Sequence, residues 1–566
     1  MPLGDSDIQL KKLNDLKKEE EEDLVKVLAE AKYNLPYMNL REVVVDNAAL
    51  RFVDEKEAKE SGVAPFKLIG KNIYLGVLSP NNENISKIVE SIERKNYTVY
   101  LYMISHASAE KVWERYKELS ISKETRGGSL DISGETLLSY RERISSVSDI
   151  PKILEEASKD KLHKVSLILE IILGGAIATN ASDIHIEPEE EMVKIRYRLD
   201  GALNDIHYIS HDIYKLLNSR IKLLSGVKLT LKSIAQDGRF SINIEEKEIN
   251  IRTSIIPGAY GESIVMRLLD PDTIKTKLED LGIDKRLFTI IEKEIAKPNG
   301  LILLTGPTGS GKTTTLYAFL QRIYSPEKKI ITIEDPIEYH LRGITQTQVD
   351  NKKGYTFLEG LRSSLRQDPD IIMVGEIRDA ETAKIAVESS LTGHLVFSTL
   401  HTNNAAGVVP RLIDLEVNPK TIPSSLNLSI AQRLVRKLCE NCKKEVSLDE
   451  EKENLVRGII KDGISEGKNF SDYGINENME IKVYQPVGCD KCSGIGYKGR
   501  IGIFEAMYMG DPELEKIIPN NPSEREIKEI SDKQGLLDMK EDGIIKVLLG
   551  VTSFEEVAET VDLYKD

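Results

Sequence analysis

The chain has 566 residues, 40% of them hydrophobic and 30% charged, with a formal net charge of −15. That length suits about three or four domains with their own cores, and the acidity argues against nucleic acid as a main partner, because phosphate backbones are bound by clustered Lys and Arg. The opening MPLGDSDIQLKKL lacks the apolar core of a signal peptide. The most apolar long stretch, VSLILEIILGGAIA at 165–178, is too short to span a bilayer and carries Glu170, so a cytoplasmic chain is the expectation.

Up to about residue 35, the charge-rich KKEEEEDLVKVLAEAKY predicts a helix whose acidic run, Glu19 to Asp23, is a solvated face. LPYMNLREVVVDNAALRFV and FKLIGKNIYLGVLSPNN alternate as strands do. ISKIVESIERK and AEKVWERYKEL read as helices, which sets a small α/β domain over residues 1–120. Residues 121–154, rich in Ser, Gly and charge, predict a linker. A second α/β domain is expected over 155–272, from the apolar helix through the strand segments SDIHIEPEEEMVKIRYRLDG, RFSINIEEKEINIRTSIIP and ESIVMRLL. Strand and helix signals alternate over 273–430, as a parallel sheet with crossover helices requires. A cysteine-bearing segment fills 431–500, and 501–566 reads as helical.

In the third domain, GLILLTGPTGSGKTTT fits G-x-x-x-x-G-K-[ST] at Gly306, Gly311, Lys312 and Thr313. The apolar run is a buried strand. Its glycines let the backbone turn so that N–H groups converge on an anion, and the helix that begins near Lys312 adds its positive end. Gly306, Pro307, Thr308, Gly309, Ser310, Gly311, Lys312, Thr313 and Thr314 are therefore the expected cradle for ATP. Lys312 reaches the β- and γ-phosphates, and the Thr313 hydroxyl ligates Mg2+.

Two acid-bearing strand ends follow. KKIITIEDPIEYH clusters Glu334, Asp335 and Glu338 around Pro336. DIIMVGE ends in Glu376, the place of a Walker B acid, expected beside the strand that feeds the phosphate loop. Either acid can ligate Mg2+ through water or orient an attacking water. TGHLVFSTLHTNNA sets His394 before a strand and His401 after it, where a histidine can sense the γ-phosphate. The four cysteines form two C-x-x-C pairs, Cys439 with Cys442 and Cys489 with Cys492. In a reducing compartment that spacing suits one tetrahedral Zn2+ site, which clips residues 443–488 as an insertion.

GPTGSGKTT, TIEDPIEY, LRQDPDIIMVGEIRDAETA and TGHLVFSTLHTNNA follow one another in that order. The series resembles the Walker A, Asp box, Walker B and His box of the secretion-type hexameric ATPases. ASDIHIEPEEEMVKIRYRLDG, QDGRFS, GESIVMRLL, AQRLVRKLC and GYKGRIGIFEAM resemble flanking segments of the type IV pilus and type II secretion motors in that superfamily, as does the amino-terminal domain. The resemblance implies an α/β multidomain protein, with a RecA-like P-loop ATPase domain that carries a zinc-bearing insertion and follows two smaller α/β domains. It implies a homohexamer that uses ATP, Mg2+ and Zn2+ and sits at the inner membrane through a platform protein and its cytoplasmic adaptor. Arg252 in INIRTS and Arg267 in VMRLL are, by resemblance, arginines that reach the γ-phosphate from the second domain.

The resemblance also places the water-activating glutamate of the Asp box at Glu338, with Glu376 associated with the metal; the reverse assignment stays open. Two features depart from the pattern. Residues 1–35 lack the paired Arg-Leu-Gly-type segments with which some relatives bind cyclic di-GMP, so that ligand is not expected, and LKSIAQDGRF lacks a double arginine before its Gln-Asp-Gly. The leading expectation is a motor for type IV pilus extension, with a type II secretion motor close behind. A retraction motor fits less, because such relatives resemble the chain only from the second domain onward. A nucleic-acid translocase and a nucleotide-gated scaffold without turnover are the readings from other classes; the net acidity weighs against the first and the intact acids against the second.

Overall fold

The computed structural model describes residues 21–564 apart from 41, 42, 44, 51, 95, 96, 117–128, 131–133, 145, 158–163, 245, 246 and 271–275. The chain divides into two compact units, Met1–Asp131 and Ile132–Asp566.

In the first unit Val63–Ile69 and Asn72–Val77 form an antiparallel hairpin, and Thr98–Met103 pairs with it in parallel. The helices Glu83–Glu93 and His106–Glu114 follow their predicted segments. LPYMNLREVVVDNAALRFV does not form the expected strands: its described residues give a single bridge, Tyr37 to Met103, and the short helix Asn47–Leu50. Leu40, Val45, Leu50 and Val53 are all buried in one core, which period-two alternation between two faces would not allow. The expected amino-terminal helix is seen over 21–33; its earlier part lies outside the described residues. Its acidic run is not wholly solvated. Glu22 is buried and accepts hydrogen bonds from Tyr37, from Ser105 Oγ at 2.7 Å and from Ser108 Oγ at 3.3 Å. Glu21 accepts from the His106 N–H at 2.9 Å. The two acids thus sit at the N-terminus of His106–Glu114, whose unpaired N–H groups and dipole favour negative charge.

The second unit begins where a linker was expected. Gly134–Arg143 and Asp149–Ala157 are helices instead. Leu137 and Tyr140 pack on the apolar helix Lys164–Ala178 so closely that a Cβ on Gly174 would lie 3.1 Å from Tyr140. No described helix is long and apolar enough to cross a membrane. Six strands of this unit then run antiparallel in the order Gln236–Ile244, Lys247–Gly258, Gly261–Leu269, Asp183–Pro188, Val193–Leu199 and Ala202–Ile209; the first five fall on the predicted segments, and Ala202–Ile209 lies beyond them.

The other large sheet of this unit has seven strands in the order Thr345–Gln348, Ile330–Glu334, Ile371–Val374, Leu395–Leu400, Gly300–Thr305, Leu426–Leu438 and Tyr497–Tyr508. All neighbours are parallel except the last pair. Helices cover both faces, and the central strands are buried throughout, as two-sided burial demands. The boundaries drawn at 430 and 500 fall inside Leu426–Leu438 and Tyr497–Tyr508. The cysteine segment is therefore an excursion between two strands of the central sheet. The chain ends in the helices Pro512–Ile517, Glu524–Ser531, Met539–Leu548 and Phe554–Thr560.

Candidate functional site

The phosphate loop joins Gly300–Thr305 to the helix Lys312–Ile323. Gly306 and Gly311 take φ of 142° and 90°, conformations that a side chain resists. A Cβ on Gly306 would also meet the Gln432 carbonyl at 2.5 Å. Lys312 Nζ donates to the Gly306 carbonyl at 2.8 Å and to Pro307 at 2.9 Å, which holds its charge over the loop. Burial pulls the ammonium below the ordinary lysine range; Glu376 opposes the shift and Arg433 adds to it. Ser310 Oγ is buried with no partner among the described residues, and Thr313 is exposed on the first helical turn.

Glu376 lies two residues past Ile371–Val374. Its strand is not beside the phosphate-loop strand as expected: Leu395–Leu400 lies between them. That intervening strand carries His401 at its carboxyl end, and His401 Nε2 stands 3.4 Å from Glu376. Burial pushes the Glu376 carboxyl up, but Arg378 and His401 outweigh it, so it stays below the ordinary range. Thr402 binds the end of the phosphate-loop strand, its N–H 2.8 Å from Thr305 Oγ1. His394 corrects an expectation. It precedes the same strand, so about 20 Å of extended chain separates it from His401, and its Nδ1 bonds the Ser389 carbonyl at 3.1 Å. It caps a helix-to-strand turn away from the loop.

Arg252 and Arg267 face each other across paired strands, and Arg239 stands opposite Arg252 on the other side, so all three share one face. That face opens on a cavity of about 1090 Å³ whose far wall is the Asp box, Asp335 to His340. Arg252 Nη1 lies 3.3 Å from both Glu338 carboxylate oxygens, and its Nη2 donates to the Ile337 carbonyl at 2.6 Å. Arg267 Nε donates to buried Asp183 at 2.8 Å. Arg239 is exposed and has no carboxylate partner among the described residues. The phosphate loop does not line this cavity.

The four cysteine sulfurs lie within 4.8 Å of one another, with close pairs at 3.7 and 3.8 Å. Disulfides need about 2.05 Å, whereas four thiolates around one zinc at about 2.3 Å stand roughly 3.8 Å apart. In each knuckle the carbonyl of the first cysteine accepts two backbone N–H groups from the turn that follows. The Cys442 and Lys443 N–H groups point to the Cys439 carbonyl at 3.1 and 2.9 Å, and those of Cys492 and Gly494 to the Cys489 carbonyl at 3.1 and 2.9 Å. The residues fit Zn2+, which Cys439, Cys442, Cys489 and Cys492 would hold in a closed, structural shell.

Residues 157–559 match the family model described as Type II/IV secretion system protein. The chain belongs to that family. It is 38% identical over 531 residues to the Type IV pilus assembly ATPase PilB of Thermus thermophilus, which covers 93% of this chain but 56% of that protein. The chain thus spans little more than half the length of that relative. It is 41% identical over 434 residues to Type II secretion system protein E of Pseudomonas aeruginosa, covering 77% of this chain and 80% of that one. The X-ray structure of the Legionella pneumophila ATPase DotB shares the fold, with a TM-score of 0.50 at 22% identity over 71% of this chain and 96% of that one.

Two arginines of this secretion-family chain escaped the sequence. Arg239 needed only strand register: QDGRF sits opposite INIRTS. Arg433 gave no local signal. It lies on the strand beside the phosphate loop, with its Nη1 3.1 Å from a Cβ built on Gly306 and its Nη2 bonded to the Asn403 carbonyl at 2.9 Å.

Proposed function

We propose that this chain is an ATP-hydrolysing motor that powers assembly of a type IV pilus. It works as a homohexamer at the cytoplasmic face of the inner membrane, where it engages a platform protein and its cytoplasmic adaptor. One observation carries the reading: Arg252 of the second domain and Glu338 of the Asp box meet at 3.3 Å across a cleft wide enough to open and close.

ATP binds along Gly306 to Thr314, with Lys312 on its β- and γ-phosphates. Thr313 and the Glu376 side would hold Mg2+, which when bound would neutralise charge on the transferring phosphoryl group. Glu338 accepts the proton of the in-line water. Arg252 and Arg267 add positive charge where negative charge develops. A bound triphosphate gives Arg252 a stronger anion than Glu338, so binding draws the arginine face over the nucleotide and frees Glu338 for the water. Hydrolysis and phosphate release return the pair to each other. In a ring that alternation becomes mechanical work on the membrane partner. Zinc stabilises the excursion between two core strands and takes no part in the chemistry.

The pilus reading is supported by a match to the Thermus pilus ATPase that runs over 93% of the chain. A type II secretion motor is the second reading, supported by the higher identity, 41%, to the Pseudomonas secretion protein. The test is deletion of the gene in its own host, with surface pili counted by electron microscopy and exported proteins assayed in the medium. Loss of pili with export intact is expected, restored by the wild-type chain and not by Lys312→Ala. Loss of export with pili intact would give the second reading.

A further inference from the structure

The Asp box is a connection without regular structure between Ile330–Glu334 and Thr345–Gln348, and the water-activating residue must nonetheless hold its place within it. The register explains what fixes it. Thr332 pairs with Gln346, and Glu334 with Gln348 two residues on, so Thr332, Glu334 and Gln346 share one face of the sheet. On that face the Gln346 amide spans the connection. Its Nε2 donates to the Tyr339 carbonyl at 2.8 Å and to Glu334 Oε1 at 3.1 Å, and stands 3.5 Å from the Tyr317 hydroxyl. Its Oε1 accepts from the Leu341 N–H at 2.6 Å. Both amide ends are therefore fixed by their partners, since a flipped amide would face a donor with a donor and an acceptor with an acceptor. The side chain thus holds the loop backbone at residues 339 and 341, just past Glu338.

The network does not stop there. Glu334 is buried and also accepts from Thr332 Oγ1 at 2.5 Å and from Tyr317, which lies on the helix that follows the phosphate loop. The Tyr339 ring stands edge-on to Tyr317, centroids 6.5 Å apart. One polar cluster thus ties the helix that starts at Lys312 to the turn that carries Glu338.

We propose that Gln346 is a positioning residue, a strap that holds the Asp-box turn so that the Glu338 carboxylate stands where the attacking water sits. The proposal rests on the reading of Glu338 as the water-activating acid. Gln346 lies outside the phosphate loop and outside the lining of the cavity between the arginine face and the Asp box, so its loss should cost turnover and not binding. A misplacement on the scale of 1 Å costs on the order of 10² in rate.

The experiment uses the purified full chain with Mg-ATP and the variants Gln346→Leu, Gln346→Glu, Glu338→Gln and the double variant Glu338→Gln with Gln346→Leu. Gln346→Glu keeps length and polarity but cannot donate to Tyr339 when ionised, so it serves where the leucine variant does not fold. The expected result is a fall in kcat of roughly 10- to 100-fold for either Gln346 variant, with Mg-ATP affinity within about threefold of wild type. The double variant should be no slower than Glu338→Gln alone. Wild-type kcat in a folded Gln346 variant overturns the strap while leaving Glu338 in place. A further loss in the double variant also overturns it, because Gln346 would then act independently of Glu338. Near-normal hydrolysis by Glu338→Gln removes the premise, and the strap falls with it.

Discussion

Arg252 and Glu338 pair across the cleft between the second domain and the Asp box, Nη1 at 3.3 Å from both carboxylate oxygens, with the side chains 29% and 30% exposed. An ion pair that solvent reaches is worth only about 0–1 kcal/mol. A bound triphosphate, with more charge and bidentate geometry, takes such an arginine readily. In the proposed mechanism the contact is a latch that nucleotide opens.

If the arginine face serves the transition state, its loss should spare binding. Arg267→Ala is expected to lower hydrolysis by about 10³ or more, the range of an arginine finger, while ATP still binds. Unchanged phosphate release per subunit would contradict the closing of the two domains on the nucleotide.

Lys312 sits over the loop carbonyls of Gly306 and Pro307, at 2.8 and 2.9 Å. In the proposed mechanism Lys312→Ala removes the charge that rests on the β- and γ-phosphates throughout the reaction. Loss of turnover is expected, with weakened binding in a fluorescent-nucleotide titration. Wild-type turnover would sink the assignment of this loop.

Metal analysis should find about one zinc per chain, released together with cysteine titratability on chelation. Because the cluster pins the ends of an excursion between Leu426–Leu438 and Tyr497–Tyr508, Cys439→Ser should lower Tm. A zinc-free preparation with unchanged Tm would show that the four thiols carry no folding role.

Much of this was legible in the sequence because it is local. The phosphate loop, the strand segments of the second domain and the cysteine pairs each depend on spacing within a few residues, and each forms where the pattern puts it. What escaped depends on register or on side chains meeting at long range. Glu22 reads as a solvated acid until Ser105 and Ser108 are brought over it. The linker expected over 121–154 gives way to helices from residue 134 because apolar positions such as Leu137 and Tyr140 find a partner farther along the chain, in the helix Lys164–Ala178. His394 and His401 share one short segment, yet the strand between them carries them to opposite ends of the sheet.

The carboxylate of Glu505 accepts the Ala405 N–H at 2.9 Å in the loop that follows His401. Burial pushes it up to about 7; Asp538 and Asp532 add to the shift, and the Ala405 N–H and Lys528 oppose it. The folded-state pKa lies above the ordinary 4.5, so this group's stabilisation is complete below that pH and is lost as pH rises through about 7. Thermal melts between about pH 6 and pH 8 should show Tm falling for the wild type and falling less for Glu505→Gln. Equal slopes would mean that Glu505 does not titrate in that window.

In the proposed mechanism this chain hydrolyses ATP with Glu338 as the acid that prepares the water. The most direct measurement is phosphate release by purified wild-type, Glu338→Gln and Glu376→Gln chains, with Mg-ATP binding and Mg2+ dependence measured on the same samples. Glu338→Gln is expected to bind Mg-ATP nearly as the wild type does yet hydrolyse it poorly, while Glu376→Gln also shifts the Mg2+ requirement. Near-normal hydrolysis by Glu338→Gln would contradict it, and an altered Mg2+ requirement in Glu338→Gln alone would exchange the roles of the two acids.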